Sequence, residues 1–154
     1  MKKLFTLAAA TAISMGVTAQ TFTNYTTSEG LVNNAVNCID VASGDVMWFG
    51  TNGGVSKFDG TNWTNHSTAT DSGFVDDVVN SIDVMTNGDV WIGSEFGAAL
   101  FDGASWITYT TADGLGNDRV KVIHEDVNGT VWFGTSNGLS SFDGTTWTSW
   151  GTAE

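Results

Sequence analysis

The sequence predicts an all-β fold in which four-stranded antiparallel sheets follow one another along the chain. The motif Trp-x-Gly recurs at residues 48–50, 91–93 and 132–134, and Phe-Asp-Gly follows each copy at a constant distance. Two aromatic positions repeat at the same interval of about 42 residues, which is the length of one propeller blade. No segment shows the helical periodicity that a helix of ten or more residues would need. The sequence therefore predicts a partial β-propeller of about three blades.

Each repeat contains four short runs of β-type residues, of which the first is rich in Val and Ile. The first runs are 36–41, 79–84 and 120–124; the second are 46–50, 90–93 and 131–134; the third are 55–58, 98–101 and 139–142; the fourth begin at Trp63, Trp106 and Trp147. Residues 22–27 resemble a fourth run and predict an extra leading strand. The blades are expected at about 28–67, 68–110 and 111–150.

The links between runs have the composition of tight turns. Asn-Gly occurs at 87–88 and 128–129, and Asp-Gly at 59–60, 102–103 and 143–144, while proline is absent. Asn, Asp and Gly tolerate positive φ, so these dipeptides predict hairpins between consecutive antiparallel strands.

The N-terminus is typical of a signal peptide. Lys2 and Lys3 precede an apolar run that ends in small residues at Ala19. We expect residues 1–19 to be removed on export to the periplasm or the exterior of a bacterium, leaving a repeat domain at 20–154. No later apolar segment approaches the roughly 20 residues of a membrane-spanning helix, so membrane insertion is not expected.

The chain is strongly acidic. It has 17 Asp and Glu against 5 Lys and Arg, and a formal net charge of −12. This charge disfavours nucleic acid and anionic membranes as partners. Cys38 is the single cysteine, which excludes an internal disulfide, and we interpret it as a small buried hydrophobic residue.

The best copy of the repeat runs from Asp113-Gly114-Leu115 through Val120, Ile123 and Asn128-Gly129 to Trp132-Phe133-Gly134 and Asn137-Gly138-Leu139. This pattern resembles the repeats of bacterial two-component regulator propellers. Similar repeats occur in periplasmic sensor regions of hybrid two-component receptors that detect carbohydrate breakdown products. The resemblance implies a non-enzymatic binding or sensing module with a glycan or a protein as its partner.

The number of blades is a problem for a closed ring, because propellers close with four to eight blades. Our first hypothesis is that the chain is the start of a longer propeller. The second is self-association through open blade edges, in which two chains give a ring of six blades.

The repeated tryptophans are predicted to fill the gaps between blades, since a residue needed at every junction must recur in every blade. Stacking on sugar rings is the alternative role. The positions concerned are Trp48, Trp91, Trp132, Trp63, Trp106 and Trp147.

The candidate ligand-binding residues lie in the loops before the first strand of each blade. They are Asn33, Asp76 and Asn117, together with Glu29 and Asp113. Loops on a rigid scaffold commonly carry function, and these would meet at one end of the ring. The alternative is that each side chain caps its own turn by binding backbone amides.

No cofactor, metal site or catalytic set is predicted. The acidic residues do not have the spacing of a calcium-binding loop. We interpret His66 and His124 as packing variants. A structural or adhesive element is the alternative function, and a lyase or glycosidase on the same scaffold is the third.

Overall fold

The structure is a computed structural model that describes residues 23–151. The predicted signal peptide and Phe22 lie outside the described residues. Within them, the strands are β1 Val36–Val41, β2 Met47–Thr51, β3 Gly54–Phe58, β4 Trp63–His66, β5 Val79–Val84, β6 Val90–Ser94, β7 Ala98–Phe101, β8 Trp106–Tyr109, β9 Val120–Glu125, β10 Val131–Thr135, β11 Gly138–Phe142 and β12 Trp147–Trp150. Their bounds agree with the predicted runs to within one residue.

The strands form three four-stranded antiparallel sheets, each in simple sequence order: β1 to β4, β5 to β8 and β9 to β12. We call these sheets blades 1, 2 and 3. The all-β prediction and the predicted count of three blades are confirmed. Apart from one 3-10 turn at Ser43–Asp45, no helix occurs in residues 23–151, and none there could cross a membrane.

The Asp-Gly turns close in the same way in every blade. Asp59 Oδ1 accepts hydrogen bonds from the backbone N–H groups of Thr61 at 2.9 Å and Asn62 at 2.7 Å, while Gly60 between them adopts φ +92°. A side-chain oxygen thus holds the turn at a residue that tolerates positive φ. Asp102 and Asp143 repeat the arrangement.

The blades stack face to face through the tryptophans of their second strands. We call the face that meets the following blade the wedge face, carrying Trp48 in blade 1 and Trp91 in blade 2. Trp48 is 3% exposed and packs with Val79, Ile82 and Trp106 of blade 2. Trp91 is 2% exposed and packs on blade 3, with its ring 5.0 Å from that of Phe133.

The opposite face of each blade receives the indole, and we call it the socket face. In blade 3 its apolar residues are Leu115, Val120, Ile123, Phe133 and Trp147. The equivalent residues of blade 2 surround Trp48. Each interior junction therefore has the same construction.

Two strand glycines allow the blades to approach closely. A Cβ on Gly50 would lie 2.7 Å from Val79 Cγ1, and one on Gly93 would lie 2.5 Å from Val120 Cγ1. In both cases the first valine of the following blade occupies the space that a side chain would need. A glycine inside a strand often marks such an approach.

The predicted leading strand is not formed in its described part. Residues 23–26 have no regular secondary structure and 27–30 form a turn. A fourth strand needs the edge of a third strand to pair with, and no such edge lies beside this segment in residues 23–151. Tyr25 nevertheless packs against Phe58 and Trp63, as His66 and Tyr109 do against the corresponding rings of blades 2 and 3.

Candidate functional site

The loops that precede β1, β5 and β9 lie at the same end of the blades as the hairpins after β2, β6 and β10. Backbone hydrogen bonds join the two sets: Asn52 N donates to Ala35 O at 3.0 Å, and Ser136 N to Arg119 O at 2.9 Å. We call this the loop end. Because β5 contacts both β1 and β9, the three first strands line the inner side of the stack, and their loops lie close to one another.

Asn33 and Asn117 occupy the same position in blades 1 and 3. The Oδ1 atom of Asn33 accepts a hydrogen bond from Ala35 N at 2.8 Å, and that of Asn117 accepts one from Arg119 N at 3.0 Å. Each side chain therefore stabilises its own turn. The amide nitrogens are not used in these bonds, so a ligand role for both residues stays a prediction.

Asp76 holds the equivalent position in blade 2 and differs from the two asparagines. Its Oδ2 atom is buried, and no described residue donates a hydrogen bond to it. A buried polar atom without a partner is costly, which marks Asp76 as the unusual member of the set.

Glu29 and Asp113 close the turns that lead out of the fourth-strand segments. Glu29 Oε2 accepts from Thr26 N at 2.7 Å and from Thr26 Oγ1 at 2.6 Å. Asp113 Oδ2 accepts from the same two groups of Thr110. The hydrogen bonds from Thr26 lower the pKa of Glu29. Among the described residues, no hydrogen bond connects any two of the five predicted site residues.

One predicted residue, Asn117, lines a polar groove between blades 2 and 3 at the loop end. The groove has a volume of about 390 Å³. Its lining residues are Glu95, Thr111, Asn117, Asp118, Arg119 and Ser136. Charged, amide and hydroxyl groups thus face one cleft.

The groove is organised around an ion pair that sequence reasoning did not identify. Arg119 Nε contacts Glu95 Oε2 across the junction, and Asn80 Nδ2 donates to Glu95 Oε1 at 3.3 Å. Arg119 is the only arginine in the sequence, and Ala35 and Val78 hold its position in the other blades. That departure from the repeat, two residues after Asn117, is the signal that could have found it.

A cleft between blades 1 and 2 is bounded by packed aromatic residues. His66 stacks on Trp48 with ring centroids 6.1 Å apart, and its Nδ1 lies 2.8 Å from Asp71 Oδ1. Burial raises the pKa of Asp71, but hydrogen bonds from Thr70 and His66 outweigh burial and leave the pKa lowered. His66 is thus a packing residue, as interpreted from the sequence.

His124 is not a packing residue, contrary to our interpretation, because its side chain is 79% exposed. Its position at the end of β9 would be covered only by a further blade. In residues 23–151, no three His, Cys, Asp or Glu side chains are grouped so that they could hold a metal ion.

Residues 114–137 match the family model described as two component regulator propeller. The match begins within the loop before β9 and includes all of β9 and the Trp-x-Gly strand of blade 3. The resemblance found in the sequence is confirmed for this segment.

Solved structures show the same architecture. The chain is similar to the extracellular domain of a B. thetaiotaomicron protein assigned as a hybrid two component system, with 25% identity, a TM-score of 0.74, and coverage of 84% of this chain and 19% of that chain. A second extracellular domain from B. thetaiotaomicron, assigned to a one component system, has 19% identity and a TM-score of 0.62 over 77% of this chain and 19% of its own.

Virginiamycin B lyase from Staphylococcus aureus is similar in fold alone, with 16% identity and a TM-score of 0.59 over 80% of this chain and 44% of the lyase. The chain spans about one fifth of the length of the two extracellular domains. No curated protein matches the chain.

Proposed function

We propose that the chain is a non-enzymatic sensing module of an exported propeller, and that it binds a neutral oligosaccharide in the groove around Arg119. The groove is the observation that carries this proposal. It presents a guanidinium, two carboxylates, an amide and two hydroxyl groups to one cleft. Sugar hydroxyl groups both donate and accept hydrogen bonds, and they match such a mixed lining.

The frame around the groove is held by local hydrogen bonds. Asp118 Oδ1 accepts from Thr111 N at 2.7 Å, and Asn117 accepts from Arg119 N. A ligand therefore meets groups that are already ordered, which reduces the entropy cost of binding. The net charge of −12 disfavours an anionic ligand and favours an uncharged one.

The similarity to extracellular domains assigned to two and one component systems supports export and a sensing role. The likeness to the lyase supports the fold only, so we infer binding rather than catalysis. A protein surface is the second class of ligand, because the loop end is a continuous set of exposed turns. Completion of the ring by further blades or by a second copy leaves the loop end accessible in either case.

The test is a screen of neutral oligosaccharides followed by calorimetry with the best ligand. Arg119→Ala is expected to weaken binding by roughly tenfold to a hundredfold, since hydrogen bonds to charged groups contribute about 1.5–3 kcal/mol. Lys57→Ala is the matched control, because it also removes one positive charge but lies outside the groove, above the Trp48 ring. An absence of binding in the screen, or equal losses in the two variants, would overturn the proposal.

A further inference from the structure

Blade 1 has an empty socket on its outer face. A cavity of about 440 Å³ is lined by Leu31, Val36, Ile39, Phe49 and Trp63, together with residues 23–26. These five residues are the repeat equivalents of the five that surround Trp91 in blade 3. The cavity is therefore the place that an incoming indole fills at the two interior junctions.

The exposed fractions of equivalent socket residues show that no blade covers the outer face of blade 1. Ile39 is 55% exposed, whereas Ile82 and Ile123 at the same repeat position are 7% and 4% exposed. The three isoleucines have the same place in their own sheets. Ile39 differs from the other two because no blade packs on it in residues 23–151.

Blade 3 carries an uncovered wedge face at the other end of the stack. Trp132 stacks on Trp150 with ring centroids 5.6 Å apart and an interplanar angle of 19°. Trp132 Nε1 also donates to Asp126 Oδ2 at 3.0 Å, which fixes the indole. Trp150 is 50% exposed, and Leu139 is exposed although its equivalents Val55 and Ala98 are fully buried.

The strand glycine of blade 3 is also retained. A Cβ on Gly134 would meet Val122 of its own blade, and no residue of another blade lies within 4 Å. At the interior junctions this glycine accommodates the first valine of the following blade. Gly134 therefore provides the space into which a residue such as Val36 could fit.

The polar groups at the two outer faces are compatible with a junction. Asn37 Nδ2 donates to Val79 O, and Asn80 Nδ2 donates to Val120 O, each at 3.0 Å. Lys121 replaces them in blade 3 and keeps a hydrogen-bond donor at this position, for which Val36 O of a following blade 1 is the equivalent acceptor. Three residues after Lys121, His124 replaces Asp40 and Asp83, whose Oδ2 atoms accept hydrogen bonds from Val84 N and Glu125 N across the interior junctions. A junction between two copies would therefore lack this carboxylate acceptor and also one negative charge.

We propose that the wedge face of blade 3 packs against the socket face of blade 1 of a second copy, with Trp132 in the cavity of about 440 Å³. Two copies then form two such junctions and close a ring of six blades, within the range of four to eight that propellers use. A head-to-tail contact that closes in this way gives a finite assembly rather than a fibre. This proposal concerns assembly and does not depend on the proposed ligand.

Tyr25 must move when the junction forms. Its ring covers Phe58 and Trp63, which is where the fourth strand of a preceding blade lies at the interior junctions. In the ring, β12 of the second copy takes this place. Residues 23–26 have no strand partner that must first be broken.

The test is the mass of the purified full chain without ligand, measured by sedimentation equilibrium and light scattering from about 1 to 100 µM. The expected result is an equilibrium between species of one and two chain masses, shifted to the dimer by added salt. Trp132→Ala and Ile39→Asp are each expected to weaken dimerisation by roughly a hundredfold or more, since both junctions lose a central contact. Phe96→Ala is the control, because it removes an exposed aromatic residue at the β6–β7 hairpin tip, outside both faces.

Mixing the two defective variants gives the sharpest result. Trp132 of the Ile39→Asp chain can enter the intact socket of the Trp132→Ala chain, so the mixture should form dimers that neither variant forms alone. Tyr25→Ala should tighten dimerisation roughly threefold to tenfold by uncovering the socket.

Three outcomes would overturn the proposal. They are a wild-type chain that stays monomeric at 100 µM, dimers that persist in both defective variants, and polymers that grow with concentration instead of closing at two copies. The oligosaccharide titration can be performed on the monomeric variants, so failure of ligand binding and failure of assembly are distinguishable.

Discussion

The middle blade and the two outer blades are built from one repeat, but only the middle blade is covered on both faces. Ile82 and Trp91 of blade 2 are buried, whereas at the same repeat positions Ile39 of blade 1 is exposed and Trp132 of blade 3 is only partly buried. The difference shows that a blade does not bury its own apolar residues. Stability comes from the junctions, as expected for a linear array of repeats.

The largest expected effect is at the centre of the second junction. Trp91→Ala should reduce the free energy of unfolding by about 3–5 kcal/mol, because it removes a fully packed indole. Trp132→Ala should cost less than about 1 kcal/mol in a dilute, monomeric sample, since no neighbouring blade packs on its ring in residues 23–151. Urea unfolding followed by far-UV circular dichroism measures both.

Equal losses in the two tryptophan variants would contradict the comparison between covered and open faces. Repeating the measurement at several protein concentrations also tests the proposed ring. If the proposed ring forms, the loss caused by Trp132→Ala should grow with protein concentration, because association stabilises the folded wild-type chain by mass action. The loss caused by Trp91→Ala includes an intrachain junction and should be large at every concentration.

A smaller effect is expected at the strand glycines. Gly93→Ala should destabilise the chain by about 1–3 kcal/mol, because the new methyl group would meet Val120 of the next blade in a packed junction. Gly134→Ala meets only the exposed Val122, which can change rotamer. Thermal unfolding of dilute samples checks the pair, and a greater loss for Gly134→Ala would show that approach between blades is not the reason for glycine.

The next two substitutions each remove one methyl group, one from a covered socket face and one from an uncovered socket face. Ile82→Val should cost about 0.5–1.5 kcal/mol, the usual range for a buried isoleucine. Ile39→Val should change the free energy of unfolding by less than about 0.5 kcal/mol in a monomeric sample. Urea titrations of the two variants in parallel provide the measurement, and equal effects would mean that residue 39 is covered in solution.

The strands could be predicted almost to the residue because the sequence repeats each of them three times. A single Val-rich run is ambiguous, but three aligned runs with Asx-Gly turns at the same offsets are not. The same logic predicts the junction tryptophans, since Trp48 and Trp91 lie where a residue needed by every blade should lie.

The remainder could not be predicted because it depends on which neighbour is present. Residues 22–27 have the composition of a fourth strand, yet the described part has no third strand to pair with. Trp132 has the sequence context of Trp91 and a different exposure. The Arg119–Glu95 pair joins two blades through residues that do not repeat, so periodicity gives no indication of it.

The smallest expected effect compares a carboxylate at a junction with one inside a blade. Asp83 Oδ2 accepts from Glu125 N across the second junction, and burial, with the nearby charge of Asp40, raises the pKa of Asp83. Asp143 accepts from Thr146 N and Thr145 N within its own turn, and these bonds lower the pKa of Asp143.

The two pKa shifts make the free energy of unfolding change with pH in opposite directions. A raised pKa in the folded state gives Asp83 a contribution that is present below the ordinary value of 3.8 and is lost as the pH rises through the folded pKa. A lowered pKa gives Asp143 a contribution that is present above 3.8 and is lost as the pH falls through the folded pKa. The stability of Asp83→Asn relative to wild type should therefore increase between acidic and neutral pH, while that of Asp143→Asn should decrease. Urea unfolding of the three proteins over this range measures the slopes, and slopes of the same sign would show that Asp83 is not desolvated at the junction.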